Sequence, residues 1–213
     1  MTTPAPFTLV RATEADMPEV IKLCWQSFPQ IVRDLLMGAP TEADLPRSVA
    51  LYQDEMRSDP HAVWVKVVDN ATGKVAAASH WRIFPGASAP PPGADEDTVP
   101  PWLDEESRVK ARGVLDEMAR ARVEANGGGY VHLHILFTDQ DFRRQGAGDM
   151  MLKWGTDLAD VLGIAGWVET SKDGTILYER HGFKVVGYQS SGGTFMRREP
   201  IDLTRTGGRV KKS

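Results

Sequence analysis

Apolar and polar positions alternate with two different periods along this chain, and the switches between them mark its elements. "FTLVRAT", Phe7 to Thr13, reads as a strand. Thr13 followed three residues later by Asp16 is a helix-start signature, and Met17, Val20, Ile21, Cys24, Trp25 and Phe28 then recur at helical spacing until Pro29 stops the run. A short helix over Ile31 to Met37 follows, and another begins at a Thr41 cap and ends before Pro60. Two β-rich runs, Ala62 to Val68 and Lys74 to Phe84, flank a turn containing Asn70 and Gly73, the strongest hairpin signal in the sequence.

Beyond Phe84 the pattern breaks. "PGASAPPPGADEDTVPPW" combines proline, glycine and acid and suits neither strand nor helix, so a surface loop over 85–106 is expected to interrupt the domain. A helix from about Ser107 to Ala125 comes next, closed by Gly127 to Gly129. Then come strand, loop and helix in one segment, "VHLHILFTDQDFRRQGAGDMML", the helix carrying an apolar stripe of Met151, Leu152, Gly155, Leu158, Ala159 and Leu162 up to Gly163. "AGWVETS" reads as a strand, "DGTILYERHGF" as a short helix stopped by Gly182, and "KVVGYQ" and "GTFMRRE" as two final strands. The order β-α-α-α-β-β-α-β-α-β-α-β-β predicts one mixed α/β domain over 1–213, with its core at about 7–198 and a basic tail, 199–213, beyond it.

Composition narrows the function classes. A formal net charge of -4 argues against nucleic acid as a partner, since neutralising phosphates needs a basic face. The tail from Arg205 to Lys212 is the exception and reads as a solvated terminus. Cys24 is the single cysteine, which rules out an internal disulfide and a cysteine-rich zinc site. "MTTPAPFTLV" lacks a secretory pattern, and no run approaches the ~20 apolar residues of a membrane span. A cytoplasmic protein with no membrane partner is the expectation.

The chemistry concentrates in the stretch around residue 140. Arg143 to Gly148 reads R-R-Q-G-A-G between an apolar strand and a helix. Glycines there let the backbone approach a ligand, and a helix start offers unpaired amides to an anion such as pyrophosphate. The Walker pattern fails for want of Gly-Lys-Ser/Thr, and the dinucleotide fingerprint fails because Met151 stands where a third glycine is required. On the strand, Tyr130, His132 and His134 share one face by alternation, and Val131, Leu133 and Ile135 the other. The two imidazoles could be a base pair beside a substrate, or simply core residues. As zinc ligands they would need a third, for which His80 is the one candidate; no metal is expected.

Arg143, Gly146 and Gly148 match R-x-x-G-x-G, and here the chain resembles the GNAT N-acetyltransferases. "FTLVRATEADMPEVIKL" is similar to that family's opening strand and helix, and "ILYERHGFKVVG" to its late helix and strand. The segment is locally similar to the arylalkylamine (serotonin) N-acetyltransferases, which also carry His-Leu-His at the same distance before F-R-x-Q-G-x-G. The resemblance implies a central mixed, mostly antiparallel sheet of about seven strands with helices on both faces, and acetyl-CoA as co-substrate. It places the cofactor on Leu136, Phe137 and Thr138, where the family's strand bulges, and on Arg143, Arg144, Gln145, Gly146, Ala147, Gly148 and Asp149. By the same resemblance His132 and His134 relay the amine proton through water, Tyr178 is the acid, and Trp25 and Phe28 stand where an acceptor's ring would be contacted; helical spacing equally fits these two as core residues.

The chemistry of acetyl transfer suits these types. The attacking amine must be neutral, yet an alkylamine has a pKa of about 10.4; an imbalance of about three pH units corresponds to roughly 4 kcal/mol, so a nearby base is worth having. A phenol can protonate the departing thiolate. The expected activity is acetyl transfer to a small primary amine by direct attack in a ternary complex. The alternatives are acetylation of a protein N-terminus or lysine, and a non-catalytic acyl-CoA sensor. The acidic residues Asp95, Glu96, Asp97, Asp104, Glu105 and Glu106 could steer a cationic amine. The sequence fits a monomer or a homodimer.

Overall fold

The computed structural model describes residues 5–86, 99–127 and 129–203; the acidic run Asp95 to Asp97 and the basic tail from Arg205 lie outside the described residues. The strands are β1 (Phe7–Arg11), β2 (Ala62–Asp69), β3 (Val75–Phe84), β4 (Tyr130–Thr138), β5 (Ala165–Thr170), β6 (Lys184–Tyr188) and β7 (Thr194–Arg198), and the helices are α1 (Met17–Ser27), α2 (Gln30–Leu35), α3 (Leu45–Ser58), α4 (Glu105–Asn126), α5 (Ala147–Leu162) and α6 (Thr175–Glu179). The strands form one sheet in the order β1-β2-β3-β4-β5-β7-β6. Every neighbouring pair is antiparallel except β4 with β5. The element order matches the one read from the sequence.

Both early helix starts are built as expected. The Asp16 carboxylate accepts from the Thr13 amide and hydroxyl at 2.8 and 2.9 Å, and Asp44 does the same for Thr41. The Thr13 box leads into α1, whose Met17, Val20, Ile21 and Cys24 are buried against Tyr52 of α3 and Trp64 of β2. On the opposite face of the sheet α5 buries Leu152 and Ala159 against Trp81, Leu133 and Val168. Gly155 sits where the Trp81 indole crosses the helix; a Cβ there would lie 2.1 Å from the ring. Leu162, expected in that stripe, is exposed at the last turn, where the helix has run past the sheet.

Two local expectations are corrected. The second helix spans Gln30–Leu35 rather than Ile31 to Met37. The fourth starts at Glu105, not near Ser107, because the Asp104 carboxylate caps it, accepting from the Ser107 amide at 2.8 Å. The loop is correspondingly shorter than 85–106. Glu105 and Glu106 complement the positive end of the helix dipole, so three of the six acids suggested for steering have a helix-starting job. The returning end of the loop is anchored, with Val99 and Pro100 buried and the Trp102 indole donating to the Gly38 carbonyl at 2.7 Å. No helix among the described residues is long and apolar enough to cross a membrane.

Candidate active site

The sheet opens in its middle. β4 pairs with β5 only from Tyr130↔Ala165 to Leu133↔Val168. Beyond that point β4 continues beside β3 as far as Thr138, while β5 continues beside β7 as far as Thr170. The β5-facing backbone groups of β4 after Leu133 are therefore released from the ladder at a fork, and an extended ligand can bond to them.

The same point carries a bulge. His80 pairs with Ile135 but Trp81 pairs with Leu133, so His134 is an extra residue with no opposite number on β3. This corrects two expectations. The irregularity lies at His134 rather than over Leu136 to Thr138, which pair regularly with Ser79, Ala78 and Ala77. The extra residue also reverses the alternation behind it: Ile135 joins Phe137 on the α1 side, while Leu136 takes the face of Val131 and Leu133.

Three imidazoles meet at the bulge. The His132 and His134 ring centroids are 5.5 Å apart, and those of His134 and His80 5.2 Å, each pair edge to face. His132 is fully buried and fully engaged. Its Nε2 lies 2.6 Å from Glu169 Oε2, and Arg122 Nη1 approaches the ring nitrogens at 3.1 Å. Arginine can only donate, so Nδ1 accepts from Arg122 and Nε2 carries the proton given to Glu169. Burial, opposed by the Glu169 carboxylate, keeps the His132 pKa below its ordinary value. Burial would raise that of Glu169, but its electrostatic interactions with His132 and Arg122 and the hydrogen bonds from His132 and Trp167 hold it down at about 2. His134 differs: it is only half-buried and has no hydrogen-bond partner among the described residues, and burial together with Arg82, His80 and His132 holds it neutral.

The loop after β4 is shaped for an anion. Arg144 takes a left-handed φ of 59° and Gly146 one of 96°, so successive amides turn toward the start of α5. Nothing lies within 4 Å of where a Gly146 Cβ would be, so the backbone conformation, not crowding, calls for glycine there. Arg143 Nε donates to the Thr138 carbonyl at 3.2 Å and Gln145 to that of Asp141 at 2.9 Å, bracing the loop. Ala147 is buried under it, and a Gly148 Cβ would be 3.8 Å from Thr138 Oγ1 and from Leu177. The Asp149 carboxylate pairs with His181 at 2.9 Å, so what Asp149 offers an anion is its amide.

Tyr178 on α6 is buried against Phe183, with Thr170 at the end of β5 as its hydroxyl's partner; burial pushes its pKa up to about 12. The other two residues named from the sequence stand apart from the histidines. Trp25 donates its indole N–H to the Ala39 carbonyl at 2.7 Å and carries the Arg33 guanidinium over its ring at 4.3 Å, and Phe28 caps the end of α1. Both pack partly buried on the α1 core, and Trp25 lines a cleft with Gln26, Arg33 and Asp139 to Asp141. Reading the sequence did not single out Arg122, Glu169, Glu55 or Arg82. For Glu169 the one available signal was its place two residues after Trp167 on the strand read from "AGWVETS".

Residues 109–185 match the acetyltransferase (GNAT) domain family. No curated protein is a significant match to the sequence. Among solved structures, a mosquito arylalkylamine N-acetyltransferase-like protein (5b) superposes with a TM-score of 0.63 at 15% identity, over 91% of this chain and 99% of that one. An agmatine N-acetyltransferase gives 0.64 at 12% identity, over 92% and 100%. The Salmonella typhimurium protein yncA, solved with acetyl-CoA as its cofactor, gives 0.53 at 13% identity, over 93% and 96%. Residues 109–185 thus match the GNAT acetyltransferase domain, and the described chain takes the fold of the acetyltransferases it superposes on.

Proposed function

We propose that this chain is an acetyl-CoA-dependent N-acetyltransferase that acts on a small primary amine by direct attack within a ternary complex. The observation that carries the reading is the fork between β4 and β5, with the unpartnered His134 imidazole at its apex and the turned amides of the Arg144–Gly146 loop at its mouth. In this reading the backbone of Leu136, Phe137 and Thr138 aligns the pantetheine and polarises the thioester carbonyl. Arg143, Arg144 and the amides from Gln145 to Asp149, Ala147 and Gly148 among them, hold the pyrophosphate.

The two histidines divide the work. His134 takes the amine proton through water, because it has a nitrogen to spare. His132, bonded on both sides by Arg122 and Glu169, holds the arrangement and shapes the field around its neighbour. The neutral nitrogen attacks the carbonyl, the C–S bond breaks, and the thiolate takes its proton from Tyr178, a phenol that burial keeps protonated at neutral pH and that the second proton lost by the new amide nitrogen restores. Trp25 and Phe28, where α1 ends, stand apart from the histidines and would meet only the far end of a bound acceptor. Two relatives of the fold named for arylalkylamines and agmatine support an amine of small size.

Incubation with acetyl-CoA and a panel of amines and peptides, followed by thiol release, tests this. Turnover with a small primary amine is expected. Release with peptides alone would replace the small amine by a protein substrate, and saturable CoA binding without release would make the domain a sensor.

A further inference from the structure

The stoichiometry of acetyl transfer sets a requirement that the fork alone does not meet. An ammonium that becomes an amide loses two protons. One finishes on the sulfur of coenzyme A; the other must leave for solvent in every turnover. His134 can accept it, but an imidazole held neutral by burial and by positive neighbours cannot store it.

Behind His134 stand His80 and Glu55, whose facing atoms, His80 Nε2 and Glu55 Oε2, have no hydrogen-bond partner among the described residues. His80, on β3, is wholly buried, its ring stacked on the Trp64 indole at 4.7 Å between centroids with an interplanar angle of 1°. Neither of its ring nitrogens has a hydrogen-bond partner among the described residues. Glu55 Oε2, from α3, lies 3.4 Å from His80 Nε2 and is likewise buried without a hydrogen-bond partner among the described residues. The other oxygen of that carboxylate accepts from Arg82 Nη2 at 2.7 Å. The Glu55 side chain as a whole is 16% exposed, so it joins the buried pair to the outside of α3. A phenylalanine would fill the stack on Trp64 without idling two nitrogens, and idle buried nitrogens are costly.

We propose that His80 and Glu55 form the exit by which the proton accepted at His134 reaches solvent, both acting as positioning residues that touch no substrate. The inference rests on the reading of His134 given above. The amine N–H breaks as a water-borne proton arrives on one His134 nitrogen; the His134 and His80 rings, edge to face with centroids 5.2 Å apart, then rotate into hydrogen-bond contact so that the other His134 nitrogen gives its proton to His80. His80 Nε2 passes a proton to Glu55 Oε2, and the resulting carboxylic acid releases it to bulk water; no electrons change hands. The groups facing His80 are Tyr52 and Glu55 of α3, Arg82 of β3, and His134 and His132 of β4. Arg122 and Glu169 lie beyond His132, and Asp59 acts on Glu55. Burial, Arg82 and His132 disfavour a lasting charge on His80, so the ring passes a proton on instead of trapping it. Burial raises the Glu55 pKa and so suits that carboxylate to a transient proton.

The test uses the full chain with acetyl-CoA and the best amine of the panel, following turnover from about pH 6 to about pH 10 for the wild type, His80→Phe, His80→Gln, Glu55→Gln and His134→Gln. Phenylalanine keeps the stack, and Glu55→Gln alters a partly exposed side chain, so at least one variant reports even where another fails to fold. Each exit variant is expected to lose about tenfold or more in kcat near neutral pH, to recover toward the amine's own pKa, and to bind CoA as the wild type does. A loss equal at every pH, or none, in both the His80 and the Glu55 variants while His134→Gln shows the pH-dependent loss would overturn the exit alone. Wild-type rates in His134→Gln would overturn the relay beneath it, and no thiol release from the wild type would overturn the acetyl transfer itself.

Discussion

Replacing Glu169 with glutamine removes one negative charge from a closed buried cluster while keeping its shape. In the native protein that carboxylate receives His132 Nε2 at 2.6 Å, Trp167 Nε1 at 2.6 Å and Arg122 Nη1 at 3.1 Å, with the side chain only 9% exposed. Its pKa falls from an ordinary 4.5 to about 2. A shift of about 2.5 units at 1.36 kcal/mol each comes to roughly 3 kcal/mol of stability at neutral pH, which agrees with the ~3–5 kcal/mol of breaking a buried ion pair. The sign follows from the depressed pKa. The unfolded carboxylate binds protons more readily than the native one, so the contribution is complete above the unfolded value and fades as pH falls from about 5 toward about 2. Urea unfolding of wild type and Glu169→Gln at a series of pH values is the assay. The variant is expected to be about 3 kcal/mol less stable at neutral pH, with the gap closing across that acidic window. Other depressed carboxylates such as Asp160 titrate in both proteins and cancel in the difference. A neutral-pH gap below about 1 kcal/mol, or one that persists undiminished at the acid end, would refute the claim that this charge is held by its cluster.

Further outcomes are expected elsewhere. Tyr178→Phe keeps the ring against Phe183 but removes the acid, so kcat should fall by roughly 10²-fold with acetyl-CoA affinity unchanged; a loss in affinity alone would make the residue a packing group. Gly146→Ala forces a side chain onto a φ of 96°, at about 1–2 kcal/mol, and calorimetry should show acetyl-CoA binding weakened by about tenfold while amine affinity holds. Gly155→Ala places a Cβ 2.1 Å from the Trp81 ring, and the overpacking should lower stability by about 1–3 kcal/mol, read by thermal unfolding. Asp160→Asn breaks a pair that holds Arg198 at 2.7 and 2.8 Å and the Ile201 amide at 2.7 Å, and a loss of about 3 kcal/mol or more is expected.

What could be read in the sequence and what could not divide along a physical line. Elements set by local periodicity and by short-range capping were legible: the Thr13 and Thr41 boxes, the β2–β3 hairpin, and the strand-loop-helix from Tyr130 to Leu162 are decided by residues a few positions apart. Asp104 followed the same local rule, but the proline-rich composition before it masked the cap. The partners of His132 were not legible. Arg122 and Glu169 lie 10 and 37 residues away from it, and only the parallel register of β4 with β5 and the packing of α4 bring them together. His80 was visible as a residue and as a third imidazole near the other two, but Glu55, which gives it a possible use, lies on a helix whose angle to the sheet no pattern fixes.

The bulge at His134 shows why a correct strand can still give a wrong face. Strict alternation places His134 among the histidines and Ile135 in the core beneath them, and composition carries no mark of an inserted residue. The structure keeps His134 beside His132 and His80 yet sends Ile135 to the α1 side, which both assertions cannot satisfy without one extra position. That position falls one residue after the last β4–β5 pair, Leu133↔Val168. Ending the ladder on one edge and interrupting it on the other at the same place leaves the His134 segment pinned by neither neighbour at that residue. An imidazole there can turn toward a substrate in the fork while its flanking residues stay locked in the sheet. Deleting one residue between Leu133 and Leu136 would therefore either remove the irregularity or, where the bulge is kept, reverse the face of everything after it. Such a variant should keep the β4–β5 pairing and most of its helix content by circular dichroism, yet lose turnover. Turnover at wild-type rates in a folded one-residue deletion would show that the bulge does not set the site.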